Sequence, residues 1–459
     1  MTLSRRLLNL ILAFILTALT ACQPVPAWSG AEGPSRYDPE AHTAQGALYY
    51  LAGDFDTAIA HFDEAIRLDP VNIDALSGRA NAYFSRGVAN VDFATPSHNA
   101  ANYRDIEAAF HDYNEVIRIK PSKADAYYNR GLAYFRLAAF HTGKGSGGPW
   151  LVTDYGAIVA YVNTGDLRKA VEDFAAAIRL NAMHSSPDDP RPYLARGIAQ
   201  RALRQYEEAF KDYDEAIRLA PAYAEAYLQR GFAHYTAAGA YYMLDTSILD
   251  RHELGAAIDD FTAAIRLRPN DAEACFRRGL AYAGLGQYDN AILDYDQAIQ
   301  LDPDFAKAFY RRGLAHAKLS ESGTAIVDLT EALRLHPSYA SAYYHRGMAY
   351  AARGDYATAV VDFDEAILNN PRERWAYYQR GLAHAALGDY AAAIRDYTEL
   401  LRQMPAYVQA YYHRGLAYAE VGDSAAAIAD LETALTLVEP GAQLAADINA
   451  VIARLRAGD

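Results

Sequence analysis

Cysteine is scarce in this sequence, which contains only Cys22 and Cys275 in 459 residues. If Cys22 is modified, as its setting predicts below, no disulfide can form within the chain. Cys275 occupies a place that equivalent stretches of the chain fill with aromatic residues, so we expect a buried thiol and not a reactive one. The fold must then depend on side-chain packing and not on covalent cross-links.

Positive charge is also in deficit. Lys and Arg together number 43, against 57 Asp and Glu, which gives a formal net charge of −14. A chain of this charge lacks the basic footprint of a nucleic-acid-binding protein, and an anionic lipid surface should repel it. The sequence therefore predicts no nucleic-acid partner.

Motifs for chemistry are missing as well. The 13 histidines include no pair spaced i, i+4, which is the spacing with which one helix holds a metal ion. No nucleophile motif occurs, and the Gly-rich stretch 143–148 lacks the spacing of a phosphate-binding loop. We therefore predict no enzymatic activity, no metal ion and no cofactor.

The longest apolar run lies near the start of the chain. Two arginines precede the apolar residues 7–19, a run too short for a comfortable membrane span. The letters LTAC at residues 19–22 resemble the lipobox of bacterial lipoproteins. That resemblance implies that residues 1–21 are a signal peptide and that Cys22 carries the lipid. The alternative is an ordinary secretory signal followed by a chance cysteine.

Residues 22–38 are rich in Pro and Gly and are predicted to be a flexible tether. Gln23 follows the cysteine, where Asp tends to retain lipoproteins of Gram-negative cells in the inner membrane. We therefore expect a lipid-anchored, extracytoplasmic protein at the cell membrane, which is the outer membrane if the cell is Gram-negative.

A 34-residue period dominates the rest of the chain, because prolines recur at 269, 303, 337, 371 and 405. In the unit 340–371, small and apolar residues follow helical spacing in two runs. Gly354 and Asp355 separate the runs, and Pro371 closes the unit. The period predicts helical hairpins stacked into a solenoid.

This unit resembles the tetratricopeptide repeat (TPR). The residues that carry the resemblance are Tyr343, Gly347, Tyr350, Ala359, Phe363, Ala366 and Pro371. It implies an all-α, right-handed superhelical solenoid of about ten hairpins over residues 39–440, and residues 441–459 form an apolar stripe suited to a capping helix. Departures from the period predict insertions near 88–104, 138–163 and 236–252, each between the two helices of its own hairpin.

The insertions should emerge along one edge of the solenoid. Residues 150–162 carry almost no charge, so they form either a helix buried against its neighbours or a docking surface. In the second case a partner, or another copy of the chain, would contact Trp150, Tyr155 and Tyr242.

The inner groove is the other candidate surface. In the TPR family the fifth position of the first helix faces this groove, and here it is mostly aromatic. Such rings either stack on an extended peptide or on sugars, or simply pack between neighbouring hairpins. The predicted groove residues are Tyr128, Phe276, Tyr310, Tyr344, Tyr378 and Tyr412, with Lys307, Arg311 and Trp375 beside them.

One departure from the family pattern is systematic. In nine units the residue just before the first Gly or Ala is Arg, where the family often has Leu. The same nine units carry Asp sixteen positions later in the numbering of the repeat. In an antiparallel hairpin these two positions lie level with each other. We therefore predict a ladder of Arg–Asp pairs, within one hairpin or across to the next. In the unit 340–371 the pair is Arg346 and Asp362.

The resulting functional hypothesis is a membrane-anchored TPR scaffold that binds other proteins or peptides of the bacterial cell envelope. The alternative is an accessory of polysaccharide export that uses the aromatic residues of the groove. The partner is not identified by the sequence, and homo-oligomerisation is possible in either case.

The anchor is testable. Because Cys22 supplies the thiol for acylation, Cys22→Ser should give a protein that is soluble or uncleaved and carries no lipid. Metabolic labelling with a fatty acid measures this, and equal labelling of the variant and the wild type would contradict the lipobox.

Overall fold

The structure is a computed structural model that describes residues 37–89, 96–140, 164–184, 187–239, 250–438 and 442–457. In these ranges the chain forms 21 α-helices and no strand, which confirms the all-α class. Two compact units divide the chain, Met1–Leu244 and Asp245–Asp459.

The first unit contains four helical hairpins followed by one helix. Each hairpin packs a first helix against an antiparallel second helix, and consecutive hairpins also contact each other. The helices are α1 (Pro39–Leu51), α2 (Phe55–Leu68), α3 (Ile73–Ala89), α4 (Pro96–Ile119), α5 (Ala124–Phe140), α6 (Thr164–His184), α7 (Arg191–Ala202), α8 (Tyr206–Leu219) and α9 (Ala224–Ala237).

The second unit begins with one helix and continues with five hairpins and a final helix. Its hairpins are regular, with first helices of 13 residues and second helices of 14 residues. The helices are α10 (Arg251–Leu267), α11 (Ala272–Gly284), α12 (Tyr288–Leu301), α13 (Ala306–Lys318), α14 (Ser322–Leu335), α15 (Ala340–Ala352), α16 (Tyr356–Asn369), α17 (Arg374–Ala386), α18 (Tyr390–Gln403), α19 (Val408–Glu420), α20 (Ser424–Leu437) and α21 (Gln443–Ala457).

The turn inside a hairpin follows from two residues. Gly354 has φ +81°, a left-handed conformation that ends α15 and that glycine adopts without steric cost. Asp355 comes next and its side chain accepts a hydrogen bond from the backbone N–H of Thr358, which caps the start of α16. The Gly-Asp pair therefore stops one helix and starts the next.

The two helices of a hairpin approach closely at a glycine. A Cβ atom on Gly381 of α17 would lie 2.6 Å from Cε1 of Tyr397, a fully buried ring on α18. The equivalent distance from Gly347 to Cε1 of Phe363 is 2.8 Å. The ring of the second helix thus fills the space that a side chain on the first helix would need.

The predicted capping helix is α21. Ile448, Val451 and Ile452 are buried against Leu431 and Ala434 of α20. These contacts cover the apolar side of α20.

The predicted insertions lie mostly outside the described residues. In the range 88–104, α3 continues to Ala89 and α4 begins at Pro96, so these two helices have 17 and 24 residues, against 13 and 14 in a regular hairpin of the second unit. The residues 1–36, including Cys22, and the residues Trp150, Tyr155 and Tyr242 lie outside the described ranges. Among the helices that the structure does describe, none combines the length and apolarity that a bilayer crossing requires.

The glycine contact gives a test with an internal control. Gly381→Ala should destabilise the protein by about 1–3 kcal/mol, because its methyl group must displace a buried tyrosine ring. Gly323 lies in the first turn of α14 with open space around it, so Gly323→Ala should be neutral or stabilise by about 0.5–1 kcal/mol. Denaturant unfolding of both variants measures this, and equal effects would contradict the close approach.

Candidate functional site

The first helices of the second unit form a continuous surface. Each of α11, α13, α15 and α17 contacts the first helix of the following hairpin as well as its own second helix. We call the surface of these helices and α19 the first-helix wall. It carries most of the predicted groove residues of the second unit.

Three of the predicted groove aromatics are core residues. Tyr128 is 3% exposed, Phe276 is 1% exposed and Tyr310 is 6% exposed. Phe276 packs with ring centroids 4.8 Å from Phe305, and Tyr310 packs 4.7 Å from Tyr339, on the residue that precedes the next first helix. The idea that these three rings offer a face to a ligand is therefore wrong, since packing between hairpins already covers them.

The remaining predicted aromatics are half-buried. Tyr344, Tyr378 and Tyr412 lie on α15, α17 and α19, and Trp375 lies one turn before Tyr378. Tyr344 still packs on the core, with its centroid 6.1 Å from that of Phe363, and burial raises its pKa to about 12. These rings have one side on the core and leave part of their surface open.

Trp375 and Tyr378 belong to a larger aromatic cluster. The ring of Tyr407 meets both edge-on, with centroid distances of 5.3 Å to Trp375 and 5.4 Å to Tyr378. His413 of α19 lies 5.9 Å from Tyr378, and burial lowers the pKa of this imidazole. We call Trp375, Tyr378, Tyr407 and His413 the aromatic cluster.

Tyr407 was missed by the sequence interpretation. It comes two residues after Pro405, and the equivalent places after Pro303 and Pro337 hold Phe305 and Tyr339. An aromatic two residues after the closing proline is therefore a recurring signal. This aromatic residue has a structural role, because its ring packs between consecutive first helices.

Cationic groups lie earlier on the first-helix wall. Lys307 and Arg311 are half-buried on α13, and the guanidinium of Arg311 lies 5.6 Å from the ring centroid of Tyr310. On the next first helix the pKa of His345 is lowered to about 4, mainly by burial and also by the positive charges of Arg311 and Lys318. The wall thus carries cationic side chains on α13 and aromatic side chains on α17 and α19.

The predicted Arg–Asp ladder is present. In eight of the nine predicted pairs the guanidinium donates from Nε and Nη2 to the two carboxylate oxygens, at 2.5–2.9 Å. The pairs are Arg79–Asp112, Arg130–Asp173, Arg196–Asp212, Arg278–Asp294, Arg312–Asp328, Arg346–Asp362, Arg380–Asp396 and Arg414–Asp430.

The ladder arginines also reach the preceding hairpin. Nη1 of Arg346 donates to Oγ1 of Thr330 on α14 at 3.1 Å, and Nη1 of Arg380 donates to Asp364 on α16. This third bond was not predicted for a particular residue, although the polar residue that recurs sixteen places before eight of the nine arginines is a signal for it. The other donations of this kind are Arg79 to Asp63, Arg130 to Asn114, Arg230 to Asp214, Arg278 to Thr262, Arg312 to Asp296 and Arg414 to Thr398.

These arginines are structural and not ligand-binding. The side chain of Arg346 is 18% exposed and that of Asp362 is 3% exposed. The ion pair with Asp362 raises the pKa of Arg346, and the guanidinium also lies 5.6 Å from the ring centroid of Tyr343. All of its donor nitrogens that point inward are therefore used within the fold.

No metal site is found among the residues that the structure describes. Within those ranges no three His, Cys, Asp or Glu side chains lie close enough together to hold an ion. Cys275 is fully buried, and burial raises the pKa of its thiol to about 11, which keeps it protonated and unreactive.

Family profiles match this chain in both units. Profiles described as TPR repeat and tetratricopeptide repeat match residues 46–87, 105–137, 201–237, 284–320, 340–373 and 378–442, which together exceed half of the chain. The chain belongs to the tetratricopeptide repeat family. The first-helix wall of this TPR protein is thus formed by the first helices of consecutive TPR hairpins.

Individual relatives of this TPR protein match only in part. Human "Tetratricopeptide repeat protein 6" is 24% identical over 198 residues, which are 42% of this chain and 34% of that protein. The "Peroxisomal targeting signal receptor" of Saccharomyces cerevisiae is 28% identical over 115 residues, or 25% of this chain and 16% of the receptor. The crystal structure of MamA has 27% identity and a TM-score of 0.33, and the match covers 34% of this chain and 91% of MamA. The chain therefore spans well under half the length of both curated relatives.

The ladder can be tested by a double-mutant cycle on Arg346→Ala and Asp362→Ala. We expect a coupling of about 2–3 kcal/mol in the unfolding free energy, because the pair is bidentate and its carboxylate is buried. The matched control is Arg402 and Glu399, an ion pair at 2.6 Å whose arginine is 71% exposed. Its coupling should be about 0.5 kcal/mol or less. Equal coupling in the two cycles would show that burial adds nothing.

Proposed function

We propose that this TPR protein is a non-catalytic scaffold that captures an extended segment of a partner protein on its first-helix wall. The observation that carries the proposal is the aromatic cluster of Trp375, Tyr378, Tyr407 and His413. Its rings are held in place by edge-on contacts, so they lose little conformational entropy when a ligand covers them. Rigid aromatic anchors of this type dominate the binding energy of protein interfaces.

The charged side chains of the first-helix wall restrict which kind of ligand it can bind. Lys307 and Arg311 on α13 precede the aromatic cluster by two hairpins, so a segment lying along the wall meets cations first and rings later. We infer a ligand with an acidic residue at one end and an aromatic, aliphatic or proline residue several positions away. The yeast relative is by its name a receptor for a targeting signal, which is consistent with recognition of a peptide segment.

Polysaccharide binding is the less supported alternative. A sugar chain needs a row of open rings, and burial of Tyr128, Phe276 and Tyr310 removes three of the six predicted members. The rings of Tyr344, Tyr378 and Tyr412 are what remains for stacking on sugars. A short mixed surface of rings and cations suits a peptide better.

We further propose that the scaffold acts at the extracytoplasmic face of a bacterial membrane, held there by lipid on Cys22. The order of two arginines, an apolar run and the letters LTAC supports this location. The partners would then be proteins of the cell envelope. The docking role of Trp150, Tyr155 and Tyr242 remains a prediction of the sequence.

The wall can be tested with a peptide-display library selected on the immobilised protein. We expect enriched peptides to combine an acidic residue with an aromatic, aliphatic or proline residue. Trp375→Ala should weaken their binding about 30-fold or more, which is the effect of losing a hot-spot side chain worth about 2 kcal/mol.

The control for this experiment is Tyr37→Ala, which removes an aromatic ring that is 82% exposed and lies in the other unit. It should leave peptide binding unchanged, and circular dichroism should show that both variants remain folded. Selected peptides that bind Trp375→Ala as well as wild type would contradict the proposal. Binding to a glycan array without peptide binding would favour the alternative.

A further inference from the structure

The outward side of the second unit carries exposed aliphatic side chains in register. Leu293 on α12, Val327 on α14 and Val361 on α16 occupy the same place in three consecutive hairpins, each directly before a ladder aspartate. They are 66%, 67% and 59% exposed. Asp259 on α10 and Arg395 on α18 fill the same place in the flanking repeats and are also exposed. We call these five residues the outer row.

The ladder holds the members of the outer row side by side. The guanidinium of Arg312 contacts Asp296 on α12 and Asp328 on α14, so these two second helices are one guanidinium apart on this side. Arg346 bridges α14 and α16 in the same way through Thr330 and Asp362. Val327 and Val361 are the chain neighbours of the bridged aspartates, and they therefore lie along one line with Leu293.

The two ends of the outer row carry opposite and unused charges. Among the described residues, neither Asp259 nor Arg395 has a hydrogen bond or an ion pair. The same place in the first unit holds an unrelated set of residues and no aliphatic side chain larger than alanine. Those residues are Ala60, His111, Glu172 and Lys211. The pattern of acid, three aliphatic residues and base is thus confined to the second unit.

This pattern is complementary to itself when it is reversed. A two-fold axis that lies in the interface, between the two Val327 side chains and parallel to α14, places Leu293 opposite Val361 of a second copy, and places Asp259 opposite Arg395 twice. Each aliphatic side chain then meets an aliphatic one and each free charge meets its opposite. Complementarity of a row with its own reversed copy is what a two-fold contact between two copies requires.

We propose that the outer row is the contact of a homodimer in which two second units pack antiparallel about Val327. Three side chains bury little area, so the contact is weak and is favoured where two copies share a membrane surface. Asp296, one turn after Leu293, would face Asp364 of the other copy, but Arg312 and Arg380 already neutralise these two carboxylates. This inference does not depend on the ligand proposed for the first-helix wall.

Charge reversal tests the proposal with the full chain in density-matched detergent, by sedimentation equilibrium. Asp259→Arg and Arg395→Asp should each weaken self-association at least tenfold, because each variant places like charges opposite each other. An equimolar mixture of the two variants should associate as well as wild type, because both contacts become attractive again in the mixed dimer.

Two further variants complete the design. Val327→Asp places two carboxylates on the axis and should leave only monomer. Lys211→Asp changes charge at the same repeat position in the first unit and should leave self-association as it is in wild type. A wild type that stays monomeric up to several hundred micromolar would overturn the proposal. A mixture that associates no better than the single variants would also overturn it.

Discussion

A guanidinium that connects three helices recurs in most of the hairpins, and the packing of these hairpins depends on this contact. Each ladder arginine donates two parallel hydrogen bonds to the aspartate of its own second helix. Most of these arginines donate a third hydrogen bond to the preceding hairpin. A buried aspartate such as Asp362 is costly without its partner, so the pair fixes which helix faces which. The glycine contact beside it, as at Gly347, brings the helices close enough for these short side-chain bonds.

The ladder also determines which side of the molecule is left for binding. It uses the polar groups between consecutive second helices, while aromatic rings such as Tyr339 and Tyr407 wedge between consecutive first helices. Where the wedge covers the neighbouring ring fully, as at Tyr310, nothing remains for a ligand. Beside Trp375, by contrast, the rings of the aromatic cluster are only half-buried, and part of their surface is exposed. The side chains available for recognition on the first-helix wall are thus those that packing between hairpins leaves exposed.

The two proposed surfaces of the second unit are carried by different helices. The aromatic cluster and the cations lie on first helices and on the residue that precedes them, whereas the outer row lies on second helices. A dimer formed through the outer row would therefore leave the first-helix wall of each copy available. Two weak sites presented together by one dimer would gain affinity for a partner that carries two copies of the ligand segment.

The sequence alone determined the repeat, the hairpin and the Arg–Asp pairs, because all three are set by local geometry. A 34-residue period, a Gly-Asp turn and two level positions in an antiparallel hairpin need no knowledge of neighbouring hairpins. Only the tertiary structure decided that Tyr128, Phe276 and Tyr310 are buried, that most of the arginines have a third partner, and that Leu293, Val327 and Val361 share a line. These features depend on how one hairpin docks on the next, and that docking is a sum of many side-chain contacts that periodicity does not contain.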